Sequence, residues 1–153
     1  MVFKNRNELL SFLYDKAYEA LIRSQYIAYE IIHDVIVQFY EDYTPELYER
    51  TEQLLRSLVK GRVYPTAKGY SADIYFDLSS LNYVTGNQPS GEQVMAAASQ
   101  GLHGAIGSDL LYVDARAKGG SGVGVWKDSL RVLDAEAIRI LKDSLMAQGI
   151  PIK

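Results

Sequence analysis

The chain has 153 residues, of which 48% are hydrophobic and 23% are charged, and its formal net charge is −3. This length fits one domain, which we assign to residues 1–153, and the composition excludes an intrinsically disordered chain. The negative charge gives no general affinity for nucleic acid, and the lack of cysteine excludes disulfides and thiolate metal sites. Because there is neither a signal-peptide core nor an apolar run of 18 residues, we expect the protein to stay in the cytoplasm unless it leaves within a larger particle.

A long first helix is predicted from Asn7 to about Tyr40 or Asp42, because neither glycine nor proline occurs between Glu8 and Pro45. At about 1.5 Å per residue the helix is on the order of 50 Å long, whereas a domain of this size is roughly 40 Å across. We therefore expect another molecule to cover its far end.

Apolar side chains of this helix fall into two rows with helical spacing. One row consists of Leu10, Leu13, Ala17, Leu21, Ala28, Ile31, Val35 and Phe39. The second, the tyrosine row, consists of Tyr14, Tyr18, Ile22, Tyr29, Ile32, Ile36 and Tyr40. Since a sheet covers one side of a helix, we expect one row to build the core and the tyrosine row to remain for assembly.

The remaining elements follow in the order helix, strands, helix, glycine-rich excursion, helix. Thr44 and Pro45 predict the start of a second helix that ends near Leu58, before Gly61. Strands are predicted at 62–66, 70–78 and 109–114, and helices at 92–99 and 126–148. In the second of these strands, Tyr70, Ala72, Ile74, Phe76 and Leu78 are expected to face the first helix. In the last helix, Leu130, Leu133, Ala137, Ile140, Leu141 and Leu145 are expected to share the core face.

This order predicts an α+β fold with a long N-terminal helix and a C-terminal helix packed on one face of a small antiparallel sheet. The glycine-rich excursion at about 101–124 is predicted to be mobile, since seven of the 12 glycines fall between Gly101 and Gly124.

The residues that usually carry catalysis do not form a recognisable set. His33 and Asp34 are neighbours on a helix and point about 100° apart, so they cannot act as a dyad. His103 has no serine or acidic partner at a useful spacing, and Gly122 to Gly124 lack the third glycine of a dinucleotide fingerprint. We predict that the protein is not an enzyme and that it binds no metal or cofactor.

The segment from Tyr43 to Ser57 has the pattern Tyr-x-Pro-x-x-Tyr-x-Arg-Thr-x-x-Leu-x-x-Ser. In this pattern and in the order of its elements, the chain resembles the small head-tail joining and tail-completion proteins of long-tailed phages and prophages. The matching positions are Tyr43, Pro45, Tyr48, Arg50, Thr51, Leu54 and Ser57, with His103, Gly104 and Trp126 as later marks. The chain departs from one common form of the family at Glu52, where that form has glycine.

The resemblance implies a virion protein of the phage neck or tail terminus that forms a homo-oligomeric ring and joins head and tail or completes the tail. Its partners would be neighbouring neck, portal-adaptor or tail proteins. It implies no enzymatic activity, no membrane contact and no sequence-specific binding to nucleic acid, even where DNA passes through the ring. Such a protein would be found in the host cytoplasm during assembly and then in the virion.

We expect the subunit interface to include Tyr14, Tyr18, Tyr29, Tyr40, Tyr43, Pro45, Tyr48, Arg50, Thr51, His103 and Trp126. An alternative hypothesis makes the chain a small α+β ligand-binding or regulatory domain that dimerises through its first helix. The two hypotheses differ in whether the glycine-rich loops close over a pocket or extend from the body.

Overall fold

A computed structural model describes residues 2–41, 52–81, 90–103, 113–114 and 124–152. The helices are α1 (Arg6–Glu41), α2 (Gln53–Arg56), α3 (Gly91–Ser99) and α4 (Val125–Ala147), with a 3-10 turn at Leu78–Ser80. The strands are β1 (Leu58–Thr66), β2 (Gly69–Phe76), β3 (Leu102–His103) and β4 (Val113–Asp114). β1 pairs with β2, and β3 with β4, in both cases antiparallel. The predicted α+β fold is confirmed, and none of the described helices is long and apolar enough to cross a membrane.

The start of α1 is fixed by local contacts. The Asn5 side-chain oxygen accepts a hydrogen bond from the Glu8 backbone N–H at 2.9 Å, and the Glu8 carboxylate accepts one from the Lys4 backbone N–H at 2.7 Å. The rings of Phe3 and Phe12 lie 5.2 Å apart. The two hydrogen bonds satisfy N–H groups at the start of α1 that have no partner within the helix. With 36 residues, α1 is about 54 Å long.

The β1–β2 hairpin contains a bulge that is held by α1. Lys60 lies opposite Ile74 and Val63 opposite Ala72, so the pair Gly61 and Arg62 shares a single partner, Asp73. From α1, the Gln25 amide nitrogen donates to the carbonyl of Gly61 at 3.0 Å and to that of Asp73 at 2.8 Å. A single side chain therefore joins the helix to both strands where their own ladder is interrupted.

The core lies around the C-terminal half of α1. Its α1 members are Ile32, Ile36 and Phe39. The other elements contribute Leu54, Leu58, Leu81, Ala98 and Val125. Ile74 and Phe76 of β2 pack against this cluster, which confirms that their face of β2 is directed toward α1. The side chains of α1 before Ala20 contribute nothing to this core.

Within the described residues, the second helix ends earlier than the sequence predicts. It ends at Arg56, β1 begins at Leu58, and Gly61 lies inside the strand instead of ending a helix. Ser57 makes this change of direction: it is fully buried, its hydroxyl donates to the Leu54 carbonyl at 2.7 Å, and its own carbonyl accepts from Asp77 N–H. Thr44 and Pro45, and most of the excursion at 101–124, lie outside the described residues.

The buried face of α4 also differs from the predicted one. Ile140 is buried as expected, but Leu130 and Leu141 are exposed, while Ser129 and Ser144 are buried. α4 starts at Val125, in the same cluster as Ile36, and packs along α1, so it runs back toward the N-terminal end of α1. Small side chains on this face let the two helix backbones approach closely.

Two glycines mark places where backbones touch. A Cβ on Gly91 would lie 2.1 Å from the Leu78 carbonyl oxygen, and one on Gly124 would lie 1.9 Å from the Ser99 carbonyl oxygen. No side chain fits at these distances. The starts of α3 and α4 are therefore placed directly against the preceding elements.

Replacing Gln25 with leucine removes both hydrogen bonds at the bulge and leaves two carbonyl groups beneath a side chain that cannot donate. We expect Gln25→Leu to lower the free energy of unfolding by about 1–3 kcal/mol, measured by urea denaturation. Gln100→Leu is the matched control, because the Gln100 amide donates only to Ala96 within its own exposed turn. An equal loss in both variants would contradict the role given to Gln25.

Candidate subunit interface

The N-terminal end of α1 is its least buried part. None of the side chains from Val2 to Glu19 is buried, and the first buried residue of α1 is Ala20. We call residues 2–14 the α1 tip. Four of its apolar side chains, Leu9, Leu10, Leu13 and Tyr14, are between 36% and 51% exposed. The expectation that α1 is a long helix is confirmed, and its less buried end is the N-terminal one.

The tyrosine row divides into two parts. The rings of Tyr14 and Tyr18 lie 6.3 Å and 5.3 Å from the Tyr70 ring, in edge-on arrangements, and both side chains remain exposed. Tyr70 stands next to the hairpin turn, so the sheet reaches the helix only as far as these two residues. Tyr14 and Tyr18 therefore lie at the boundary between the body and the tip.

The C-terminal part of the tyrosine row belongs to the fold, which corrects the prediction that the whole row remains for assembly. Tyr29 and Tyr40 pack against the core, whose members Ile32 and Ile36 come from the same row. The Lys60 ammonium group also lies 4.8 Å from the centre of the Tyr29 ring. The reason is that, beyond the bulge at Gln25, the wider part of the hairpin and the core cluster lie against this side of α1.

The other predicted interface residues are distributed differently. Tyr43, Pro45, Tyr48, Arg50 and Thr51 lie outside the described residues. The backbone of His103 pairs with that of Val113 in the β3–β4 ladder. The side chain of Trp126 is 43% exposed, and its ring lies edge-on to Phe76 with the ring centres 6.4 Å apart.

Glu52, where the chain departs from the family pattern, has an unusual backbone conformation. Its φ angle is +55° and its ψ angle 19°, in the left-handed region. This conformation costs residues with a Cβ roughly 1–2 kcal/mol and costs glycine nothing. Its carboxylate lies 3.8 Å from Arg56, but both side chains are largely exposed, so this ion pair contributes little.

A second exposed apolar surface lies on α4, and the sequence did not single it out. Ile138 is 74% exposed and Leu141 45% exposed. Ile138 lies two positions before the buried Ile140, which places it about 200° around the helix, on the side away from α1. We call Asp134, Ile138 and Leu141 the α4 outer face. The signal for it was an isoleucine outside the predicted core face of an otherwise amphipathic helix.

The titratable groups of the described residues have local structural roles. The Ser79 hydroxyl and backbone N–H donate to the Asp77 carboxylate at the 3-10 turn, and these bonds lower the pKa of Asp77. The buried Nδ1 of His33 lies 3.6 Å from an Asp34 oxygen, too far for a hydrogen bond. Within the described ranges, no group of three or more His, Asp or Glu side chains is placed to hold a metal ion.

Comparison with known proteins gives no relatives: the chain matches no family model, no curated protein and no solved structure. Its function is therefore inferred from its own residues and geometry.

The placement of Tyr29 reverses the expected effect of charging this position. Tyr29→Glu should lower the free energy of unfolding by about 2–4 kcal/mol, because it removes core packing and buries part of a carboxylate. Tyr14→Glu, at the exposed boundary, should change it by less than about 1 kcal/mol. Urea denaturation of both variants distinguishes the two positions; equal stability would show that Tyr29 lies outside the core.

The conformation of Glu52 leads to a second expectation. Glu52→Gly should raise the free energy of unfolding by about 0.5–1 kcal/mol, since relief of the left-handed strain exceeds the added entropy of the unfolded chain. Glu52→Ala is the control, because alanine loses the same carboxylate and keeps the strain. If alanine stabilised the protein as much as glycine does, the gain would come from the lost charge.

Proposed function

We propose that this chain is a structural subunit of a phage neck or tail terminus, where it forms a ring that joins head and tail or completes the tail. The observation that carries the proposal is the α1 tip: a helical end without a buried side chain, on which Leu9, Leu10, Leu13 and Tyr14 remain 36% to 51% exposed. Contiguous apolar surface of this kind is typical of a protein that is covered on assembly.

The resemblance of residues 43–57 to the joining-protein pattern supports the same proposal. Leu54 and Ser57, two of the matching positions, are buried where the chain passes from α2 into β1, so this part of the pattern has a folding role. Glycine, the residue at this place in one form of the family, adopts the left-handed conformation of Glu52 without strain. The departure at Glu52 is therefore compatible with the pattern.

The tip is suited to a structural role because contacts within a single chain stabilise its helix. The cap formed by Asn5 and Glu8 and the contact between Phe3 and Phe12 hold its first turns. A preformed helix loses little conformational entropy on association. In this proposal the protein acts by holding neighbouring subunits and neck or tail proteins in place, without catalysis, first in the host cytoplasm and then in the particle.

The proposal is tested in the phage or prophage that encodes the chain. Removing the gene should leave filled heads and tails that are not joined, or tails without a finished end, as seen by electron microscopy. A plasmid copy of the wild-type gene should restore intact particles. Mass spectrometry of purified particles should find the protein in several copies for each particle.

A variant pair makes this test specific for the tip. Leu10→Asp should fail to restore particles, whereas Tyr64→Asp, which changes a side chain of similar exposure on the outer side of β1, should restore them. Normal particles in the absence of the gene, or particles that lack the protein, would overturn the proposal.

A further inference from the structure

The leucines of the α1 tip lie before Tyr14, where the ring of Tyr70 meets the helix. Leu13 is 19 residues before Ile32, the first member of the core cluster on α1, which corresponds to about 29 Å along the helix. Leu9, Leu10 and Leu13 each keep more than a third of their surface exposed, so surface remains there for a second molecule to cover.

The α4 outer face offers a surface of matching chemistry. Ile138 and Leu141 expose aliphatic side chains there, with Ala137 beside them. Ile138 points away from the α1 helix of the same chain, because it lies about 200° around α4 from the buried Ile140, while Leu141 lies at the edge of the buried side. A chain cannot bring its own tip onto its own outer face. Pairing of the two surfaces requires two chains.

The charges of the two surfaces have opposite signs. The tip carries Lys4 and Arg6 against the single carboxylate of Glu8, and Glu8 is engaged in the helix cap. The positive end of the α1 dipole lies at the same place. Around the outer face, residues 134–143 carry three carboxylates, Asp134, Glu136 and Asp143, against Arg139 and Lys142.

The groups that remain unpaired strengthen this match. Arg139 bridges Glu136 and Asp143, which leaves Asp134 without an ion-pair partner among the described residues. Arg6 is likewise unpaired within the part of the chain that the structure describes. A basic side chain next to exposed leucines on the tip thus faces an acidic one next to exposed aliphatic residues on α4.

We propose that the α1 tip of one copy packs onto the α4 outer face of a second copy, in a head-to-tail arrangement. The apolar contact is formed by Leu9, Leu10 and Leu13 against Ile138 and Leu141, and the unpaired charges flank it. Because the two surfaces differ, each copy keeps one of each kind free, and the contact repeats until it closes into a ring or continues as a filament. The inference rests on the proposed function only in its homo-oligomeric part, and it requires no viral partner.

The unequal surfaces allow a complementation experiment with purified protein. Leu13→Asp destroys the tip and keeps the outer face, whereas Ile138→Asp destroys the outer face and keeps the tip. Each variant alone should be monomeric by analytical ultracentrifugation, with self-association at least about tenfold weaker than in the wild type. An equimolar mixture should form a species of two chains and nothing larger, since one intact contact forms and neither end can continue.

The controls separate this arrangement from others. Tyr64→Asp, an exposed aromatic on the outer side of β1, should assemble as the wild type does. Circular dichroism and thermal melting should show all variants folded, and Leu9→Asp replaces Leu13→Asp if the latter does not fold. A mixture that remains monomeric, or an Ile138→Asp variant that still self-associates through its tips, would overturn the head-to-tail pairing.

The outcome also distinguishes this inference from the proposed function. A wild-type protein that is monomeric at high micromolar concentration would overturn the second copy as the occupant of the tip. Self-association through these two surfaces, together with intact particles when the gene is absent, would support the pairing and remove the neck assignment. The pairing of copies and the neck assignment can therefore fail independently, and each failure gives a different experimental result.

Discussion

The position of α1 on the β1–β2 hairpin depends on the side-chain amide of Gln25. At the β1–β2 bulge, two residues of β1 face a single residue of β2, and the carbonyls of Gly61 and Asp73 both turn to α1 for a donor. Gln25 is the side chain that can donate two hydrogen bonds from one nitrogen. Its neighbours one turn away on the same side of the helix, Leu21 and Tyr29, offer no donor or a single one. A shift of α1 by one turn would therefore leave a carbonyl at the bulge without a partner.

The position of Gln25 also decides how much of α1 remains uncovered. With the bulge opposite Gln25, the hairpin turn reaches only to Tyr14 and Tyr18, where Tyr70 makes its last contacts with the helix. The core, at Ile32 to Phe39, extends in the other direction. The length of the tip is thus a consequence of where the sheet is attached. A helix of the same length attached one turn closer to its start would project correspondingly less.

The sequence predicted the elements better than it predicted their faces. The helical period of α1, the alternation of β2 and the start of α3 after Ser90 are local patterns, and the structure has them within one or two residues. Which row of α1 enters the core depends on where Gln25 meets the bulge, 36 residues away from it along the chain. No local pattern carries that information. The whole tyrosine row was therefore predicted to remain for assembly, although its C-terminal part lies in the core.

The core face of α4 was predicted only in part, at Leu133 and Ile140, for a related reason. Hydropathy selects leucine for the core and serine for the surface, but close packing of two helices selects small side chains whatever their polarity. Ser129 and Ser144 are buried although their hydroxyls have no hydrogen-bond partner among the described residues, and Leu130 and Leu141 are exposed.

Burying hydroxyl groups without partners opposes folding, and leaving large aliphatic groups in water forgoes the stabilisation that their burial would give. The isolated chain would be more stable with the aliphatic side chains buried and the hydroxyl groups in water. The exposure of Leu141 and Ile138 is explained if another copy covers them in the assembled state. Burial against that copy then supplies the stabilisation that the single chain lacks. The exposed leucines of the α1 tip likewise contribute little to the stability of a single chain. Under the proposed pairing, one contact between two copies would bury both surfaces.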